Sequence, residues 1–182
     1  ESIKEDTTRL LKITGELLNM TQVESGKIEL GMIPVEPAEI LEYAVKANKS
    51  QAEEKKITFQ LAVPEKISKV MADSEKTAWV LTNLVSNAIR YSYENSVICL
   101  EIAETTNNIL FSVTDTGQGI APQYRDKIFD RYFRVPGTKK EGTGLGLSIS
   151  KEFIEAQGGS ITVESDFGAG SKFTVSLNKA SV

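Results

Sequence analysis

Residues 115–146 are broken by glycine at 117, 119, 137, 142, 144 and 146 and carry the pattern of only one short helix, near Pro122 to Phe129. So long an irregular stretch inside a compact domain is uncommon and is usually where function resides. A stretch like this needs a rigid frame on both sides, and the flanking sequence supplies one. Before it comes a long helix over 74–91, capped by Asp73 or Ser74, then two strand-like runs over 97–104 and 108–114 joined by a polar turn. After it come a helix over 145–156 ended by Gly158 and Gly159, and two alternating runs over 160–164 and 172–177 around Gly168 and Gly170.

Upstream, residues 57–63 alternate like a strand, with 69–72 as a short candidate neighbour, and Pro37 after Glu36 suits the first turn of a helix running to about Lys56. Residues 2–26 carry Ile3, Leu10, Ile13, Leu17 and Met20 at a/d heptad spacing without an interrupting proline. That pattern fits either a helix packing on its own domain or one strand of a helix hairpin or dimer stem. Gly26, Gly31 and Pro34 break it, so the boundary between helix and globular part is expected near residues 27–34. The order of elements predicts an α+β fold with helices layered on one face of a mixed sheet.

With 182 residues the chain has room for one domain, or one domain with an appendage. It contains no histidine, which excludes imidazole zinc sites and Ser-His or Cys-His catalysis. Cys99 is its one cysteine, so no intrachain disulfide can form. A net charge of −4 argues against a broad nucleic-acid footprint. The first residue is Glu1, and no signal peptide or apolar stretch of membrane-spanning length is present, so the chain reads as a piece of a longer protein.

Three motifs carry chemistry. On the helix over 74–91, a rotation of about 100° per residue gathers Asn83, Asn87, Arg90 and Tyr91 on one side and turns Leu81, Val85 and Ala88 to the other. Such a stripe can be a solvated face, yet asparagine is a poor helix former. A neutral oxygen ligand of this kind suits magnesium, which keeps several waters and takes phosphate oxygens. The second motif, Asp115-Thr-Gly-Gln-Gly-Ile120, sets a carboxylate at a strand end above Gly117 and Gly119. It reads as a tight turn or as an acceptor for an exocyclic amine such as that of adenine, with the glycines admitting a flat base. The third, Gly142-Thr-Gly-Leu-Gly-Leu147, opens a helix, where free N–H groups and the dipole favour a phosphate.

No strand precedes this third motif, which removes the dinucleotide fingerprint, and Thr143 stands where a P-loop lysine belongs. Between the last two motifs lies Ile128-Phe-Asp-Arg-Tyr-Phe-Arg134, with Lys139 and Lys140 beyond it. This segment reads as an apolar helix end and solvated loop, or as a flap anchored by aromatics whose cations reach phosphates.

In this order the motifs resemble the ATP-binding domain of bacterial sensor histidine kinases, within the group that includes gyrase, heat-shock chaperone and mismatch-repair ATPases. Residues 83–91 look like the N box, 115–120 the first glycine box, 129–134 the F box and 142–147 the second glycine box. Residues 10–30, with Leu17-Leu-Asn-Met-Thr and Glu24-Ser-Gly-Lys27, look like the second helix of the dimerisation and phosphotransfer domain.

The resemblance implies a two-layer α/β sandwich of the Bergerat type over 31–182, preceded by a stem helix over 1–30. It implies that Asn87 ligates Mg2+, Asp115 binds the adenine amino group, Tyr91 lines the base and Arg90 helps hold phosphate. Gly117, Gly119 and Ile120 would border the base. Phe133, Arg134, Lys139 and Lys140 would belong to the flap, and Gly142, Thr143, Gly144, Leu145, Gly146 and Leu147 would close on the phosphates. Asn83 stands where hydrolysing relatives carry a glutamate; it lacks a general base's proton affinity, so its role would be positioning and the chemistry phosphotransfer rather than ATP hydrolysis.

The sequence departs from the family at Arg90, where lysine is usual, and at Tyr132-Phe133, which reverses the common order. It also lacks the acceptor histidine, so this chain should not autophosphorylate. For the longer protein the resemblance implies a homodimer through the stem, a response regulator receiver domain as partner, no nucleic acid, and a cytoplasmic domain whose parent is anchored in the inner membrane through other segments. A nucleotide-sensing scaffold and a chaperone-like or gyrase-like ATPase are the other functions such motifs serve.

Overall fold

The computed structural model describes residues 3–138 and 142–181. The elements run α1 (Ile3–Glu24), β1 (Met32–Val35), α2 (Pro37–Ala47), α3 (Lys49–Glu54), β2 (Thr58–Ala62), β3 (Val70–Asp73), α4 (Ser74–Tyr91), β4 (Val97–Glu104), β5 (Asn108–Asp115), α5 (Gly146–Ala156), β6 (Ser160–Asp166) and β7 (Gly170–Asn178). The main sheet has five strands in the order β2-β4-β5-β7-β6, with β2 parallel to β4 and the other pairs antiparallel. This is the mixed-sheet α+β architecture the element order implied.

Alternation decides which face is covered. In β4, Ile98, Leu100 and Ile102 are buried while the residues between them are exposed or half-buried. Register brings Val113 opposite Leu100 and Phe111 opposite Ile102, then Phe173 opposite Val113 and Val175 opposite Phe111, so one apolar face crosses the sheet. Onto it pack Val80, Leu81, Leu84, Val85 and Ile89 of α4 and Ile149, Phe153 and Ile154 of α5, all essentially inaccessible. Removing a side chain of this depth, such as Phe111→Ala, typically costs about 3–5 kcal/mol. Trp79 meets Phe153 edge-on at 5.8 Å, locking α4 to α5.

Three local expectations are corrected, and the heptad stripe of α1 divides between solvent and core. The helix expected from Pro37 to about Lys56 is two helices, because the Asn48 amide donates to the Ala44 and Thr82 carbonyls at 2.9 and 3.2 Å and the backbone leaves helical geometry there. Residues 70–73 pair antiparallel with 32–35 in a separate two-stranded sheet, whereas β2 finds β4 instead. The short helix near Pro122 to Phe129 is two 3-10 turns, Pro122–Tyr124 and Lys127–Phe129. In α1, Ile3, Leu10 and Leu17 of the heptad stripe are exposed; the buried residues are Glu16, Met20 and Val23, and the last two join the common core beside α5.

Candidate nucleotide site

α4 is held at both ends, which sets the heights of its polar residues. At its start the Asp73 carboxylate accepts the Lys76 and Gly31 amides at 3.0 and 2.9 Å, a capping arrangement. Its apolar side is consumed by the core, so Asn83, Asn87, Arg90 and Tyr91 turn into one pocket, as the helical spacing required. Asn83 is itself buried. Its amide donates to the Ser150 hydroxyl at 3.3 Å, and a Cβ on Gly146 would come within 2.6 Å of its oxygen, so Asn83 joins α4 to the start of α5.

Asp115 ends β5 with its carboxylate in the same pocket, only 6% exposed. Burial pushes its carboxyl above the usual range, opposed by hydrogen bonds from the Gly117 and Ser171 amides, the former at 2.9 Å. The chain then turns tightly against its neighbours. Gln118 N–H donates to the Tyr91 carbonyl at 3.4 Å, its own carbonyl accepts from Gly168 at 2.7 Å, and Ile120 N–H donates to the Ser165 hydroxyl at 2.8 Å. Gly119, at φ +70°, is pressed onto the Asp166 carbonyl so closely that a Cβ would collide with it. Gly119 and Ile120 line the pocket. Gly117 does not; it lies behind the wall against the Tyr91 carbonyl.

The segment after Ile128 is anchored by aromatics. Phe129 meets Phe173 edge-on at 6.3 Å, and Phe133 meets Tyr124 at 5.9 Å. Phe133 and Arg134 line the pocket, whereas Tyr132 is 65% exposed at φ +62°, its N–H donating to the Gly144 carbonyl at 2.9 Å. The reversed order therefore turns phenylalanine inward and the tyrosine ring outward. Gly142, Thr143, Gly144, Gly146 and Leu147 all line the pocket at the N-terminal end of α5, an 11-residue helix. Leu145 is the exception: it is buried in the core and anchors the run. Lys139 and Lys140 lie outside the described residues.

Sequence reasoning missed the part of the wall that comes from elsewhere. Lys12 and Glu16 of α1 line the pocket, as do Gln118, Thr138, and Ser171 and Phe173 of β7. Glu16 is buried and accepts a hydrogen bond from the Thr143 hydroxyl. The signal available was a carboxylate among Ile13, Met20 and Val23 on one helical face, an improbable place for a solvated glutamate. Glu24 of the same helix pairs with Arg131 at 3.9 Å. Among the described residues no three acidic, histidine or cysteine side chains cluster as a metal site. A divalent ion here would accordingly take one neutral side-chain oxygen and draw the rest from phosphates and water.

Fold and pocket together define an α/β sandwich with one pocket that glycine edges at both ends. A family profile described as histidine kinase-, DNA gyrase B- and HSP90-like ATPase matches residues 72–181, and the chain belongs to that family. It is similar to the alginate biosynthesis sensor protein KinB of Pseudomonas aeruginosa, 30% identical over 97% of this chain and 30% of that protein. It is likewise similar to the sensor protein SrrB of Staphylococcus aureus, 32% identical over 97% of this chain and 31% of that one. The chain thus spans less than a third of either relative. Among solved structures, full-length ShkA in complex with AMPPNP matches with a TM-score of 0.83 at 28% identity, covering 98% of this chain and 38% of that chain. The catalytic domain of histidine kinase ThkA matches with a TM-score of 0.74 at 29% identity, covering 82% and 97%.

Proposed function

We propose that the pocket binds ATP with magnesium and that, in a longer protein, the γ-phosphoryl group passes to a histidine this chain lacks, for relay to an aspartate on a response regulator receiver domain. The observation that carries this reading is the meeting, in one pocket, of the Asp115 carboxylate, the Asn87 amide and the glycine run at the start of α5. Asp115 accepts from the adenine amino group, with Tyr91, Gly119 and Ile120 along the base. Asn87 offers the metal its side-chain oxygen, and Arg90 and Arg134, with Lys139 and Lys140, answer the phosphate charge. Magnesium would supply charge neutralisation on the phosphates when bound.

In the transfer itself the bond from the γ-phosphorus to the bridging oxygen breaks as the histidine nitrogen bonds to phosphorus, and ADP leaves. Asn83 favours this over hydrolysis: its amide is already engaged with Ser150 and has no proton affinity with which to activate water. The exposed stripe of Ile3, Leu10 and Leu17 on α1 supports pairing with another helix, as in the dimer stem assigned to residues 1–30, with 31–182 as the ATP-binding domain. No helix among the described residues is long and apolar enough to cross a membrane, so inner-membrane anchoring would rest on other segments.

Isothermal titration of the chain with ATP, ADP and GTP, each with and without magnesium, tests the site. ATP and ADP should bind far better than GTP, and magnesium should favour ATP. Equal binding of adenine and guanine nucleotides, or none at all, would overturn the reading.

A further inference from the structure

α4 delivers Arg90 and Tyr91 from its last turn, yet it lacks the usual closure of a helix end. Its C-cap, Ser92, is extended at ψ 154°, and the residue directly after it is not left-handed, so the chain does not fold back over the open carbonyls. Those carbonyls are nevertheless all satisfied. Ser92 Oγ donates to Ala88 and Ser92 N–H to Ile89 at 3.3 Å, while Gln118 N–H serves Tyr91. The remaining donors come from one side chain: Lys55 Nζ donates to the carbonyls of Ile89, Arg90 and Ser92 at 2.9, 2.9 and 3.1 Å.

Lys55 is aimed there by its own backbone. α3 closes with Ile57 N–H on the Ala52 carbonyl and Lys56 N–H on the Glu53 carbonyl, with Lys56 left-handed at φ +53°. This double closure makes Lys55 the helix cap, and its carbonyl accepts from Asn95 in the loop that follows α4, at 3.0 Å. Main chain and side chain of one residue thereby grip the same connection from both sides. An ammonium is the group for this place. It carries three donors that rotate onto converging acceptors and a charge that suits a helix C-terminus, whereas a flat guanidinium fork cannot reach all three.

We propose that Lys55 is a positioning residue for the nucleotide's base: it sets the last turn of α4 so that Tyr91 and Arg90 stand at the right height against the loop of Asp115. This rests on the nucleotide reading above. The path is short, because the Tyr91 carbonyl, between the clamped Arg90 and Ser92, is also the one against which Gly117 and Gln118 seat. Lys55 does not line the pocket, and any effect it has on binding is transmitted through α4.

Lys55→Met should weaken adenosine about 10-fold and ATP at least as much, from the loss of charge-assisted bonds that hold Tyr91 and Arg90. Titration well below the melting midpoint separates this from unfolding. In a Cys99→Ser background, Lys55→Cys alkylated with 2-bromoethylamine restores an ammonium at nearly the lysine's reach and should restore binding, which a merely disturbed fold would not do. Lys55→Arg should recover part of it, and serves if Lys55→Met fails to fold. Amide exchange at Ser92 and Gln118 in ligand-free protein should quicken in Lys55→Met. Wild-type adenosine affinity in the folded Met or Arg variant, a restored ammonium without restored binding, or unchanged exchange at both amides would overturn the proposal. A wild-type chain that binds no adenosine would sink the nucleotide reading instead, and the exchange measurement would still decide the role of Lys55.

Discussion

The two ends of the pocket are walled by different materials. Around Asp115 the wall is mostly main chain against main chain, with Gly119 on the Asp166 carbonyl and Gln118 bonded to both Tyr91 and Gly168, and Ile120 N–H is tied to the buried Ser165 hydroxyl. Around the second glycine run one backbone bond, from Tyr132 to Gly144, stands among contacts made by tips of side chains: Thr143 on Glu16, Arg90 beside Gly142, and Arg131 paired with Glu24. A wall of backbone cannot shift unless the sheet shifts, whereas side-chain tips and a docked helix can. The end at Asp115, proposed for the base, is therefore preformed, and the end at the second glycine run, proposed for the phosphates, depends on where α1 lies. On the proposed function, signal input through α1 would have something to act on only at the second end.

The largest effect should come from breaking the backbone wall. Gly119→Ala places a methyl group into the Asp166 carbonyl at a left-handed φ of +70°, and should cost about 3 kcal/mol and abolish binding of adenosine and ATP alike. Gly137→Ala, at φ +84° with open space around it, should cost only about 1 kcal/mol. Thermal melts of the two variants check this, and equal losses would mean the wall is softer than its contacts imply.

Next in size, Asn87→Ala should weaken Mg-ATP by about 10- to 150-fold while leaving adenosine within about twofold, because the role proposed for the amide is toward the metal and phosphates alone. Titration with both ligands separates the ends of the pocket. A parallel loss for adenosine would merge them.

Asp115→Asn should erase most of the preference for ATP over GTP, a change of about 10-fold, because a pure acceptor becomes a mixed donor and acceptor. Its effect on the empty protein should have the opposite sign. Burial raises the folded carboxyl above its ordinary 3.8, so the ionised group costs stability that is absent in acid and grows as pH rises through the folded value. Melting of the variant without ligand should hold or improve near neutral pH, with the gain fading in acid. A loss of stability at neutral pH would assign Asp115 to structure rather than to the base.

The smallest effect should be at α1. Glu16→Ala frees the Thr143 hydroxyl and removes a negative charge from the phosphate end, so ATP should bind about 2- to 10-fold tighter with adenosine unchanged. An equal gain for both ligands would show that α1 presses on the whole pocket.

Much of this was legible from local pattern. The i, i+4 asparagines and the residues one turn further had to share a face once residues 74–91 were helical, and Asp115 had to stand where alternation stopped and glycine began. What misled was any feature that depended on a distant partner. Residues 69–72 look like a neighbour for 57–63, but four residues of strand pair with whichever edge the chain brings near, and that was β1. The break at Asn48 needs the Thr82 carbonyl of another helix. The burial of Glu16 and its bond to Thr143 join residues far apart in the chain, beyond the reach of any periodicity.

By itself the sequence determined most of the element types, the inner face of the sheet and the residue classes at both ends of the pocket, because helical and strand periods and glycine's missing side chain are properties of neighbouring residues. Only the tertiary structure decided that Gly117 and Leu145 stand behind the wall, that Phe133 rather than Tyr132 faces inward, and that α1 and Lys55 hold the pocket from outside the motifs. Those are outcomes of close packing among distant segments, where each surface is chosen by what the others leave open.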